Sequence, residues 1–253
     1  MSIPPQTRNV LTSDGQKIVF DHYAQSREDL VIIAHGFFNS KDSVLLKDLG
    51  QALLPKRDVI LMDFRGHGKS QGLFYWTAKE HLDLLAVLDA VENDYRRIAV
   101  IGFSLGAATT IITAVKTKRI GSVIAVSSPV SFEKIEFHFW DLDVENDIFY
   151  NLTGQGHRGK GVRPGPFWLK KERPIEVVDQ ITCPILFLHG EADWVIRPWH
   201  SQALFDKARS PKEIAILKNG PHAEYLVRKN KSETVGHIRD WLDKTLNGKG
   251  TAV

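Results

Sequence analysis

The chain has 253 residues, 43% of them hydrophobic and 25% charged, with a formal net charge of +3; this suits one large domain with room for an insertion and excludes a small stapled module. The mild charge is not gathered into a basic stripe with interleaved aromatics, so nucleic acid is not expected as a partner. With Cys183 as the single cysteine, neither an intrachain disulfide nor a cysteine-built zinc site can form.

Met1 to Arg8 lack the apolar core of a signal peptide and no run approaches membrane-spanning length, so a cytoplasmic protein without a membrane span is expected. Arg8 to Thr12 and Gln16 to His22 flank Ser13-Asp14-Gly15, a hairpin signal between two short strands. Leu30-Val31-Ile32-Ile33-Ala34 is a continuous apolar run, the pattern of a strand covered on both faces, and it ends in His35-Gly36-Phe37-Phe38-Asn39-Ser40. Leu45, Leu49 and Leu53 recur at helical spacing, and Val59 to Met62 form the next buried strand. The loop Asp63-Phe64-Arg65-Gly66-His67-Gly68-Lys69-Ser70 follows, then a helix carrying Leu82, Leu85 and Leu88. A strand from Ile98 runs into Ser104, and Ala107 to Val115 read as a buried helix. Ser122 to Val126, Ile185 to Leu188 and Glu213 to Leu217 complete the strands. One late helix starts near Pro198 and a last one is built on Val235, Ile238, Trp241 and Leu242. The alternation predicts an α/β fold, a mostly parallel twisted sheet of about eight strands with helices on both faces. Cys183, before Pro184 at a strand start, reads as a packed core thiol.

The alternation breaks between Pro129 and Arg173. This stretch holds Phe132, Phe137, Phe139, Trp140, Phe149, Tyr150, Phe167 and Trp168, roughly double the chain's aromatic frequency of 9%. It leaves after one strand and returns before the next, so residues 129–173 are expected as a cap over the strand ends, with 1–128 and 174–253 as the core domain. Inside it, Gly154-Gln155-Gly156-His157-Arg158-Gly159-Lys160-Gly161 imitates phosphate-binding loops. Those loops need a helix behind them, and here Pro164 and Pro166 follow while Gly161 stands where a hydroxyl residue belongs, so it reads as a lid loop.

The chemistry is carried by Gly102-Phe103-Ser104-Leu105-Gly106 at a strand-to-helix junction. A sharp turn there forces the serine into a strained conformation and crowds the positions two before and two after it, where glycine fits. Ser104 is therefore the candidate nucleophile. A serine hydroxyl needs a base within hydrogen-bond reach and a carboxylate to hold that base. His222, in Asn219-Gly220-Pro221-His222 directly after the last strand, is the candidate base. His35, His189 and His67 read as structural, and His81 and His237 lie on helices. Asp193, in the loop after the penultimate strand, is the candidate acid, with Glu191 as second choice; Asp141, Asp143 and Asp147 read as solvated cap surface.

Together these stretches resemble the α/β-hydrolase family over nearly the whole chain, as a serine esterase-like member with a small cap. His35-Gly36-Phe37 is similar to its oxyanion loop, Asp63 to Ser70 to its Asp-x-Arg-Gly-His-Gly-x-Ser loop, and Gly102 to Gly106 to its nucleophile elbow. His189 to Asp193 and Gly220-Pro221-His222 are similar to its acid and histidine loops, in the family's order of serine, acid, histidine. The resemblance implies an oxyanion hole made by the backbone N–H groups of Phe37 and Leu105, and no metal or organic cofactor. It implies a serine carboxylester hydrolase acting on a small to medium, partly apolar ester, with Phe38, Phe103, Phe137, Trp140 and Trp194 as pocket residues. Arg158, Lys160 and Arg163 are available for an anionic substrate group. A thioesterase, amidase or peptidase uses the same machinery, and a non-catalytic ligand receptor shares the fold. A homodimer is left open.

Overall fold

The computed structural model describes residues 3–136 and 162–246. The strands are β1 (Gln6–Leu11), β2 (Lys17–Tyr23), β3 (Asp29–Ala34), β4 (Asp58–Met62), β5 (Arg97–Phe103), β6 (Ile120–Val126), β7 (Ile185–Gly190) and β8 (Lys212–Leu217). They form one sheet in the order β1-β2-β4-β3-β5-β6-β7-β8. β2 pairs antiparallel with β1 and β4, and every pairing from β4 through β8 is parallel. The helices are α1 (Val44–Leu53), α2 (His81–Asp89), α3 (Leu105–Ala114), α4 (Pro174–Val177), α5 (Trp199–Lys207), α6 (Leu226–Lys229) and α7 (Lys231–Leu246).

Alternation along the strands feeds two apolar layers. Leu30, Ile32 and Ala34 of β3 face Leu84 and Val87 of α2, Ile111 of α3 and Leu204 of α5. Val31 and Ile33 face Leu45, Leu46 and Leu49 of α1 and Ile238, Trp241 and Leu242 of α7. Burial on both sides is what makes the strands read as unbroken apolar runs. α3 is buried along its whole length, and its hydroxyls stay satisfied because Thr109, Thr110 and Thr113 donate to the carbonyls of Leu105, Gly106 and Thr109 at 3.0, 2.8 and 2.7 Å.

The inward face of α2 differs from the expected one. Leu88 is in the core, but Leu82 and Leu85 are only half-buried, and Leu84 and Val87 take the inner positions. The reason is Asp83, fully buried on that face, whose carboxylate accepts from the backbone N–H and Nε of Arg65 at 2.8 Å each. Arg65, also fully buried, extends its two terminal nitrogens to Asp14 in the hairpin turn at 2.7 and 2.9 Å. One guanidinium thus ties the β1–β2 hairpin, the loop after β4 and α2 together.

The chain leaves the sheet at Val130 and returns beside it, Ile175 donating its N–H to the Val130 carbonyl at 3.1 Å. Before that, Arg163 and Gly165 lace onto the loop after β4: Arg163 N–H to Gly66 O at 2.8 Å, Phe74 N–H to Arg163 O at 2.9 Å and Gly165 N–H to Phe74 O at 2.8 Å. The Arg163 guanidinium donates to the carbonyls of Gly72 and Ser70. It is a brace and not a free cation for substrate, because those carbonyls sit where the laced backbone delivers it. Phe137, Phe139, Trp140, Asp141, Asp143, Asp147, Phe149, Tyr150 and the Gly154 to Gly161 loop with Arg158 and Lys160 lie outside the described residues. Cys183 is half-buried against the core, and burial pushes its thiol up to about 11. No helix among the described residues is long and apolar enough to cross a membrane.

The Arg65 brace sets a pH dependence. The Arg65 hydrogen bonds hold the Asp14 carboxyl down at about 2. A carboxyl whose folded pKa is depressed contributes stability above its unfolded pKa and loses it as pH falls through the folded one. Asp14 sits at the surface, where solvent screening weakens the ion pair, so Asp14→Asn is expected to cost about 1 kcal/mol or less at neutral pH, with the difference shrinking between about pH 4 and pH 2. Thermal unfolding of both proteins across that range checks it; a constant difference would contradict the assignment.

Candidate active site

Ser104 sits between the end of β5 and the first residue of α3, at φ +54° and ψ −121°, a conformation that L residues other than glycine avoid. The strain is held from both sides: its N–H donates to Val126 O at 2.9 Å and its carbonyl accepts from Ala107 and Ala108 at 2.9 and 3.2 Å. The turn drives the start of α3 against the end of β3. A Cβ on Gly106 would lie 2.2 Å from the His35 carbonyl oxygen and 2.6 Å from that of Ala34, and one on Gly36 would lie 3.0 Å from the Ser104 Cβ. The loop after β3 therefore passes directly over the serine, and only a residue without a side chain permits the approach.

His222 follows β8. Its Nδ1 is 2.7 Å from Asp193 Oδ2, and its Nε2 is 3.1 Å from Ser104 Oγ. An ionised carboxylate only accepts, so Nδ1 carries the hydrogen and Nε2 offers its lone pair to the serine hydroxyl. Asp193 is fully buried, and its other oxygen accepts from the N–H groups of Val195 and Ile196 at 3.0 and 2.8 Å. Burial acts to raise the Asp193 carboxyl, but the neighbouring imidazoles of His222 and His189 outweigh it and hold the group well below the usual carboxylate range. It stays ionised. Glu191 is exposed and turned elsewhere, its Oε2 accepting from the Asn219 N–H at 3.0 Å. The structure thus brings Ser104, His222 and Asp193 together and leaves Glu191 out.

The histidine loop is stitched in place from three directions. Ala192 N–H donates to Gly220 O at 2.9 Å, Ala223 N–H to Ser127 Oγ at 3.1 Å, and Asn39 Nδ2 to Glu224 Oε1 at 2.5 Å. Ser127 and Asn39 have no place in the expected site; the signal in the sequence was their position in loops that follow strands, Ser127 directly after β6 and Asn39 in the loop after β3.

His35 and His67 brace the loops. His35 Nδ1 donates to Gly36 O at 2.7 Å, and its Nε2 accepts the Phe64 N–H at 3.1 Å, tying the loops after β3 and β4. Burial lowers His35 well below the ordinary histidine range and holds His67 at about 4, so both rings are neutral at pH 7. Over them lies an aromatic group: the Phe37 ring is 4.0 Å from Phe38, 5.4 Å from Phe74 and 4.9 Å from Trp76, and Trp76 is 5.0 Å from Phe132. Trp76 also donates Nε1–H to Gly165 O at 3.2 Å. Trp76 and Thr77 have φ of +58° and +80°, and the fully buried Glu80 holds them there by accepting from Tyr75 N–H at 2.6 Å and Thr77 N–H at 2.8 Å.

Of the expected pocket residues, Phe38 is 58% exposed beside Phe37, and Trp194 is half-buried on the acid loop. Phe103 is a core residue instead. Strand alternation turns it, like Ile101, into the fully buried layer under α1 and α7. Phe137 and Trp140 lie outside the described residues. Leu105, as the first residue of α3, has an N–H with no partner inside the helix, and Phe37 follows Gly36 in the loop over Ser104. Among the described residues no group of three or more His, Cys, Asp or Glu side chains is placed to hold a metal ion.

A family model described as "Alpha/beta hydrolase family" matches residues 31–244. The "Uncharacterized protein YqkD" of Bacillus subtilis (strain 168) is 29% identical over 237 residues, 84% of this chain and 70% of that one. The "Uncharacterized protein YfhR" of Escherichia coli (strain K12) is 28% identical over 182 residues, 68% of this chain and 56% of that one. The chain thus spans little more than half the length of the latter relative. Among solved structures, the Pyrococcus furiosus esterase Pf2001 superposes with a TM-score of 0.74 at 22% identity, covering 96% of this chain and 93% of that one.

The contact at Gly106 yields a test. Gly106→Ala is expected to force β3 and α3 apart, to lower stability by about 1–3 kcal/mol, and to slow reaction of Ser104 with a fluorophosphonate. Calorimetry and intact-mass kinetics measure both; an unchanged melting temperature would show that the approach is looser than described.

Proposed function

The chain belongs to the alpha/beta hydrolase family, and on that footing we propose that it is a serine hydrolase cleaving carboxylic esters of small to medium, partly apolar acyl groups through an acyl-enzyme. The observation that carries the reading is the linear array of Ser104 Oγ, His222 and Asp193 at 3.1 and 2.7 Å. Esterases among the structural neighbours support it at the level of fold.

In this reading His222 Nε2 takes the hydroxyl proton as Ser104 Oγ attacks the ester carbonyl carbon, and the carbonyl electron pair moves to oxygen. The backbone N–H groups of Phe37 and Leu105 hold that oxyanion, each such donor being worth about 10²–10³ in turnover. Buried, ionised Asp193 orients the ring and stabilises the imidazolium. The imidazolium then gives its proton to the departing alkoxide, and a water activated by His222 cleaves the acyl-enzyme to acid and free serine. The aromatic group around Phe37, Phe38 and Trp76 supports an apolar acyl portion, and residues 129–173 are proposed as the cap that closes over it.

The test is a fluorophosphonate reaction followed by intact mass and peptide mapping. A single adduct on Ser104, absent in Ser104→Ala, is the expected result, and esters, thioesters and amides of graded chain length then assign the substrate. Asp193→Asn is expected to cut ester turnover by a factor on the order of 10⁴, while Glu191→Gln stays near wild type. A folded protein that takes no adduct would overturn the reading in favour of a non-catalytic receptor.

A further inference from the structure

Behind the acid, in contact with the oxygen that also meets His222, lies a second imidazole. His189, the penultimate residue of β7, is fully buried. Its Nε2 is 2.6 Å from the Ile196 carbonyl oxygen and 3.2 Å from Asp193 Oδ2, and its Nδ1 is 2.6 Å from Ser201 Oγ on α5. A carbonyl oxygen only accepts, so Nε2 carries a hydrogen shared between Ile196 O and Asp193 Oδ2. A neutral ring then has its lone pair on Nδ1, and the fully buried Ser201 hydroxyl donates there. Ile196 closes the circuit, since its N–H donates to Asp193 Oδ1 at 2.8 Å while its carbonyl accepts from His189.

We infer that His189 and Ser201 are a positioning pair that sets how much of the Asp193 charge reaches His222. The inference rests on the reading of Ser104, His222 and Asp193 as one catalytic array. Each hydrogen bond to a carboxylate spreads its charge, and the His189 donor acts on Oδ2, the same oxygen that holds His222 at 2.7 Å. Without that donor, Asp193 binds the imidazolium more tightly. His222 then keeps its proton to higher pH and is unavailable as a base there. Ser201 contributes one step further back, by donating to Nδ1 and holding the ring in the orientation that points Nε2–H at Asp193.

The other charged and titratable groups of this neighbourhood are His200 on α5, which feels the charges of His189, Glu136 and Asp193, and Glu136 after β6. Glu191 and Arg197 stand on the Asp193 loop, and Glu224 follows His222. All remain in place in the variants below.

The experiment follows the rate at which a fluorophosphonate labels Ser104 as a function of pH, which needs no knowledge of the substrate. His189→Phe keeps a flat ring without a donor, His189→Gln returns an amide N–H at a similar reach, and Ser201→Ala removes only the hydroxyl. In His189→Phe the acid limb is expected to rise by about 0.5–1 pH unit. Labelling one unit below the wild-type limb then slows about three- to tenfold, while the alkaline plateau changes far less. His189→Gln is expected to bring the limb back, and Ser201→Ala to move it in the same direction by a smaller step. Rates that fall by one common factor at every pH, with the limb unmoved, would reduce His189 to packing and overturn the inference. Should the ring variants fail to fold, Ser201→Ala decides alone, an unmoved limb overturning it. A wild-type protein unlabelled at Ser104 at any pH is a different result, and it removes the catalytic array itself.

Discussion

The structure depends on one close backbone approach, that of the end of β3 to the start of α3. Gly106 lies so near the carbonyls of Ala34 and His35 that no side chain fits between them, and this contact fixes where the loop after β3 crosses the serine turn. Ser104 can hold a positive φ only because β6 accepts its N–H and α3 receives its carbonyl. Separating these segments would relax the serine and at once move Gly36 and Phe37 away from it. The strained serine and the loop above it are one feature of the packing.

Asp193 and His222 are held by a different means. Asp193 has no lysine or arginine hydrogen-bonded to it among the described residues; its charge is met by two backbone N–H groups and two imidazoles inside a fully buried site. A buried carboxylate is tolerated only when its lone pairs are satisfied, and here the satisfaction comes from the tight turn at Val195 and Ile196. The acid loop and the histidine loop are in turn laced to each other through Glu191, Ala192, Asn219 and Gly220. The distance from His222 to the serine is thus inherited from the register of β7 against β8.

Much of this was legible because the relevant signals are local. The apolar runs of β3 to β7 marked strands buried on both faces without tertiary information, and the turn residues Ser13-Asp14-Gly15 marked the β1–β2 hairpin. Ser104, Asp193 and His222 stood in the loops that follow strands, and a parallel sheet gathers such loops at one edge. What could not be read depends on which side of an element meets a distant partner. α2 is rotated by the buried Asp83 reaching for Arg65, and Phe103 points into the core because alternation from Ile101 carries it there. Arg163 resembled a substrate cation until the backbone pairing with Phe74 brought it onto the Ser70 and Gly72 carbonyls. His189 and Ser201 are twelve residues apart in the chain and meet only in three dimensions.

The distribution of backbone strain says why so large a core accompanies so small a site. Among the described residues, eight other than glycine have positive φ: Ser26, Phe38, Trp76, Thr77, Ser104, Ser127, Asn219 and Ala223. All but Ser26 lie in loops that follow the carboxyl ends of β3, β4, β5, β6 and β8. At about 1–3 kcal/mol each, seven such residues cost as much as the net stability of an ordinary domain. Such strain persists only where other bonds over-determine the backbone. Glu80 does this for Trp76 and Thr77, Val126 and α3 for Ser104, and Leu188 for Ser127, whose N–H meets that carbonyl at 2.8 Å. The two apolar layers supply the stability that this one edge consumes. Among the described residues the opposite edge carries only Ser26, so the strain is not a general property of the fold's turns. It marks the side of the sheet where side chains must be held in positions that an unstrained chain would not give them.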